Sequence, residues 1–164
     1  MRRFLFGLLL CSAFVFSAQG QTMNNERLGK ILHSVSDSLE GEAGNWQFFI
    51  QGQIMICLTD EGFNRMRIIS PVVMIEEVSP DELMACMEAN FHTALDVKYA
   101  VSEGILWSVF IHPLKELTRA QAIDAVQQVY NAVATFGTSY NSTHLVFPKR
   151  EPEEPPGKKL PKKS

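Results

Sequence analysis

Apolar positions along this chain change period several times, and each change marks an element. Between residues 24 and 40, Leu28, Ile31, Leu32, Val35 and Leu39 recur three or four apart, which predicts an amphipathic first helix. The stretch GEAGN (41–45) predicts its end. WQFFIQGQIMICLTDEGFNRMRIIS then predicts three strands over 46–50, 53–59 and 65–70, with turns at Gln51-Gly52 and Asp60–Asn64. Trp46, Phe48 and Ile50 point one way and Phe49 the other. A strand wet on one side would alternate more cleanly, so both faces of this sheet are expected to be covered, by helices or by a second subunit.

SPDE (79–82) predicts a helix start: Ser79 caps, Pro80 fits the first helical position and Glu82 closes a capping box. This helix is expected to reach Phe91 and to bury Leu83, Met87 and Phe91. Thr118 and Gln121 form a second capping box before a last helix that runs to Gly137, with Ile123, Val126, Tyr130 and Val133 as its buried stripe. Between these helices, 95–101 and 105–111 predict a hairpin turned by SEG. A three-residue loop pairs Val101 with Ile105, Tyr99 with Trp107, Val97 with Val109 and Leu95 with Ile111, an all-apolar set that reads as the core face. The other face then carries Asp96, Lys98 and Ala100 beside Leu106, Ser108, Phe110 and His112. The order is α-β-β-β-α-β-β-α, an α+β fold with an antiparallel sheet and packed helices.

The two ends change the picture. MRR followed by the apolar FLFGLLLCSAFVF is too short to span a bilayer and predicts a secretory signal peptide over residues 1–20. Ala18 and Gly20 stand at the minus-three and minus-one positions of a cut before Gln21. Leu10, where a small residue is needed, argues against lipoprotein processing at Cys11. The Pro- and Lys-rich residues 149–164 carry a single large apolar residue, Leu160, and are expected to be disordered. Residues 21–148 remain as one domain, with seven Lys and Arg against fifteen Asp and Glu, a net charge of −8. An acidic body argues against nucleic acid as a partner. The tail, at +3, fits a solubilising segment first and weak contact with an anionic membrane surface second. Cys57 and Cys86 survive processing. Export permits a disulfide, while their apolar neighbours fit buried free thiols, and the spacing leaves both open.

Reactive chemistry has little support. The four histidines show no ligand spacing, there is no phosphate loop and no nucleophile elbow, so no metal, cofactor or catalytic residue is expected. Asp96, His112 and Ser108 form a triad only on paper; a cross-strand ion pair accounts for the first two. Arg65 and Arg67 alternate with Met66 and Ile68 and so share one strand face, which fits a solvated face first and a hold on an acidic partner segment second. The candidate partner-binding residues are therefore Arg65, Arg67, Asp96, Lys98, Phe110 and His112, a half-polar, half-apolar strip suited to a contact surface.

At RMRIISPVV, MEANFHTALDVKYAV and LWSVFIHPLKELT the chain resembles the YbjN-type family of bacterial sensory transduction regulators. That family shares the fold of type III secretion chaperones, small acidic dimers that bind extended segments of partner proteins. The resemblance spans roughly residues 28–137 and implies a bacterial, non-enzymatic domain that binds a protein or peptide. The export signal sets this chain apart from secretion chaperones, which act in the cytoplasm, so it is the binding mode that the resemblance implies. Expected, then, is a periplasmic or secreted homodimer that holds a polypeptide on its sheet face or along the second helix. A small enzyme around Asp96 and His112, or a structural envelope protein with a lipid-touching tail, is the alternative.

Overall fold

The computed structural model describes residues 22–145, so the expected signal peptide, its cleavage point and the tail lie outside the described residues. Helix α1 (Asn25–Val35) is followed by β1 (Ser38–Glu42), β2 (Asn45–Ile50), β3 (Gln53–Asp60) and β4 (Arg65–Met74). A single 3-10 turn (Ile75–Glu77) leads to α2 (Pro80–His92), then β5 (Lys98–Ser102), β6 (Ile105–His112) and α3 (Arg119–Ala134). The sheet has six antiparallel strands in the order β1-β2-β3-β4-β6-β5. The expected α+β class holds, with one strand more than the apolar pattern predicts.

That strand is β1. Leu39 satisfies helical spacing from Val35, but α1 ends at Ser36, and Leu39 instead stands opposite Phe48 in a hairpin. Gly41 makes the hairpin possible. Its φ is +105°, and a Cβ there would lie 2.2 Å from the Asn45 carbonyl oxygen, so only glycine fits.

Both expected capping boxes are present. The Ser79 hydroxyl accepts from the Glu82 N–H while the Glu82 carboxylate accepts from the Ser79 N–H, and Thr118 and Gln121 do the same for α3.

The core lies on one side of the sheet. Trp46, Phe48 and Ile50 of β2, Met55 and Cys57 of β3, Met66 and Ile68 of β4, and Leu106 and Phe110 of β6 are all buried there. Helices α1 and α3 cover them side by side. Leu28, Ile31 and Leu32 supply the buried stripe of α1, and Gly29 lets its backbone settle against the Trp46 ring. In α3 the buried positions are small: Ala122, Ala125, Val126, Val129 and Ala132, together with Gln128. This corrects the expected stripe, since Ile123 is exposed and Tyr130 and Val133 are only half-buried. The small residues allow close approach. Ser108 Oγ donates to the Val129 carbonyl at 3.1 Å, and Tyr99 donates its phenol to the Ala132 carbonyl at 2.6 Å. Ala132 is in the last turn, where helix carbonyls lack internal partners.

The hairpin register differs from the expected one by a single residue. Glu103 and Gly104, both with positive φ (52° and 76°), make a two-residue turn whose twist suits a hairpin. Val101 therefore pairs with Leu106 and Tyr99 with Ser108. One residue of slip turns a strand over, so Leu106, Ser108 and Phe110 are in the core while Trp107, Val109 and Ile111 face outward. Helix α2 also departs from expectation: it buries Cys86 and Ala89, not Met87 and Phe91. It lies beside β5, where the Asn90 side chain accepts from the Tyr99 N–H at 2.7 Å and donates to the Tyr99 carbonyl at 3.1 Å, closing that edge of the sheet.

Candidate functional site

Among the described residues the second face of the sheet carries none of the buried side chains, so of the two covers expected for it, helices or a second subunit, the described helices are not the one. Strand pairing lines its residues up in rows. One row crosses all six strands as Glu40, Gln47, Ile56, Ile69, Val109 and Lys98. The next runs Glu42, Asn45, Leu58, Arg67 and Ile111, and beyond it Asp60 stands opposite Arg65. On the other flank Phe49 pairs with Ile54, and Pro71 with Trp107 and then Ala100. The result is an apolar middle over β3, β4 and β6, with carboxylates at the β1 edge and cations toward β4 and β5. Ile56, Ile69 and Val109 are half-buried, and Ile111 is 64 % exposed. Leu58, Arg65, Arg67 and Ile111 share in lining an open groove at one end of this middle.

Three of the expected contact residues lie on this face and three do not. Arg65 and Arg67 point onto it from β4, and Lys98 from β5. Lys98 donates to the Leu95 carbonyl; partial burial lowers its pKa, and the nearby Asp96 carboxylate opposes that shift. Phe110 is 5 % exposed and belongs to the core, so its assignment to a contact strip is corrected by the register. His112 is on the helix side opposite Met66, half-buried and stacked on Phe110 with ring centroids 5.9 Å apart. Asp96 precedes β5 and is held by α3: its N–H donates to Gln128 Oε1 and its carboxylate accepts from Gln128 Nε2.

The triad reading therefore fails on partners. Asp96 is bonded to Gln128, Ser108 to Val129, and His112 to the Pro113 carbonyl. Among the described residues no group of histidine, cysteine and carboxylate side chains is placed to hold a metal. Cys57 and Cys86 are free and buried rather than joined. Burial pushes their thiols up to about 12 and about 11, so neither is a thiolate nucleophile near neutral pH.

A second exposed apolar feature is the outer side of α2. Met84, Met87 and Phe91 recur at helical spacing and are 62 %, 47 % and 80 % exposed. The sequence pattern assigned two of these to the core.

What the pattern missed on the sheet were Ile56, Leu58, Ile69, Trp107, Val109 and Ile111. A usable signal was present for one of them: Ile69 shares the alternation that sets Arg65 and Arg67 on one face. For β6 the signal was the Glu-Gly pair at the turn.

No family profile matches this sequence, and no curated protein matches it. Solved structures do. A chain of the HopA1–SchA chaperone–effector complex is 11 % identical, covers 66 % of this chain and 88 % of its own length, and superposes with a TM-score of 0.53. The Yersinia pestis type III secretion chaperone SycH, in complex with a stable fragment of YscM2, gives 9 % identity, 70 % and 100 % coverage and a TM-score of 0.54. The ExsC–ExsE complex gives 14 %, 68 %, 92 % and 0.53. The fold is thus that of type III secretion chaperones, as the sequence resemblance implied.

Proposed function

We propose that this protein is an exported, non-enzymatic binding module of the bacterial envelope that holds a partner polypeptide on the open face of its sheet. The observation that carries this reading is the apolar middle of that face, a continuous surface across β3, β4 and β6 that no helix among the described residues covers. Contiguous exposed apolar surface with interleaved charge is the mark of a contact site rather than of a reaction pocket. Likeness in fold to SycH, solved with a fragment of YscM2, and to the HopA1–SchA complex supports the same reading. The resemblance at RMRIISPVV and MEANFHTALDVKYAV supports a relation to YbjN-type regulators, and the apolar leader supports export with processing near Gln21.

The stripe of Met84, Met87 and Phe91 on α2 suits a second copy of the chain, because a helix face is self-complementary about a two-fold axis. The two surfaces are separable by mutation. Affinity capture from the native envelope with the mature chain, repeated with Ile69→Asp and with Met87→Asp, tests both. Loss of specific partners with Ile69→Asp alone, and of the dimer mass in light scattering with Met87→Asp alone, is the expected outcome. Undiminished capture by Ile69→Asp would remove the sheet face from consideration.

A further inference from the structure

The open face also specifies the chemistry of what it holds, an inference that rests on the protein-binding reading above. Its apolar middle spans three strands, and neighbouring strands lie about 4.8 Å apart, so it is about 10 Å wide, close to the diameter of one helix. The backbone of those strands is already spoken for: β3, β4 and β6 each have a strand on both sides. A segment laid flat on this face finds no backbone partners there and must satisfy its own, as a helix does.

Charge decides the rest. Arg67 stands at one end of the apolar middle between Leu58 and Ile111, and among the described residues no carboxylate is hydrogen-bonded or ion-paired to it. Arg65 donates to the Asn64 carbonyl, and Asp60 across from it accepts from the Phe63 N–H instead of pairing with it. Lys98 flanks the middle row, at the end of Ile69 and Val109 and one row in from Arg67. Three cations thus border an apolar surface on a body that is otherwise strongly acidic. A guanidinium set among apolar side chains is a strong carboxylate receptor, because its hydrogen bonds form where water is displaced.

We propose that the open face selects a partner segment whose apolar stripe is bounded at one end by Asp or Glu, and that Arg67 and Arg65 read those carboxylates. An anionic lipid surface offers similar charges, but the net −8 of the domain opposes its approach to one.

The test uses three synthetic helical peptides with one leucine stripe, identical except that two positions at the end of the stripe are Glu, Gln or Lys. Binding to the full mature chain is followed by fluorescence anisotropy. The Glu peptide is expected to bind roughly tenfold tighter than the Lys peptide, with the gap shrinking as salt rises. Arg67→Glu should reverse that order, whereas Lys30→Glu, the same charge change on exposed α1, should leave it intact.

Equal binding of the three peptides, abolished by Ile69→Asp, would overturn carboxylate selection and keep the binding face. Binding that survives Ile69→Asp would overturn both. Failure of all three to bind, or an unchanged order in Arg67→Glu, overturns the selection. So does capture by phosphatidylserine vesicles that depends on the same arginines and exceeds binding to the peptides.

Discussion

On one side of the sheet Phe48, Met55, Ile68 and Phe110 are sealed beneath α1 and α3. On the other side sit Phe49, Ile56, Ile69 and Val109, each the immediate sequence neighbour of one of them and similarly apolar, yet all remain half-exposed. Hydrophobicity alone does not separate the two sets. The residues interleaved with them do: Ser70 and Ser108 accompany the sealed set and bond to backbone carbonyls, whereas Arg65, Arg67, Gln47 and Lys98 accompany the open one. Hydroxyls can be satisfied inside a core by one nearby carbonyl. Guanidinium and ammonium groups cannot be left there unpaired.

The sharpest way to break this contrast is to put the same charge on adjacent residues. Ile68→Asp places an unpaired carboxylate in the core and should abolish cooperative folding, while Ile69→Asp should retain a native circular dichroism spectrum. Comparable damage from both would mean that the open face is covered in the free protein.

Truncation gives the next contrast. Phe48→Ala should cost about 3–5 kcal/mol in urea unfolding, as a fully buried aromatic. Trp107→Ala, half-buried on the open face with its indole N–H donating to the Ser102 carbonyl, should cost about 1–2 kcal/mol. A larger loss at Trp107 than at Phe48 would restore the three-residue turn and the opposite faces.

Alkaline pH probes the sealed side chemically. The Cys57 thiol is held up to about 12 by burial, so above pH 9 the unfolded chain releases a proton that the folded chain keeps. Stability should fall as pH rises from about 9 to 12, and Cys57→Ala should lessen that slope while Cys86 maintains part of it. The smallest effect belongs to Lys98→Ala, which should change stability by less than about 0.5 kcal/mol, because the side chain lies at the margin of the open face.

Local features of the fold were legible in the sequence, and the reason is range. Each capping box is closed within four residues, so Ser79 with Glu82 and Thr118 with Gln121 could be read without knowing what the helix packs on. The hairpin faces depended on whether the turn takes two residues or three, and that one choice moved Phe110 from the open face to the core. β1 was hidden because Leu39 fits both a helical and a strand position; Gly41, with a backbone no other residue tolerates, is the true discriminator. In α2 and α3 the large apolar residues were assigned inward. The helices instead bury their small ones, since Tyr99 and Ser108 need the α3 backbone within hydrogen-bond reach. Of the site, the alternation of Arg65 and Arg67 was readable. The apolar rows between the strands were not, because rows exist only once strands are paired.

The Asn90 clasp on Tyr99 has a consequence for assembly. A sheet open at both ends can accept neighbours without limit and grow into a fibre. This one is stoppered at β5 and ends at the other side in β1, a strand of five residues that carries Glu40 and Glu42. Where Asn90 occupies Tyr99 the β5 edge is taken, which leaves the β1 end of both molecules, and two that have met there have no second β1 to offer. Edge pairing through β1 is therefore self-terminating at two, and a high local concentration does not seed polymers by that route.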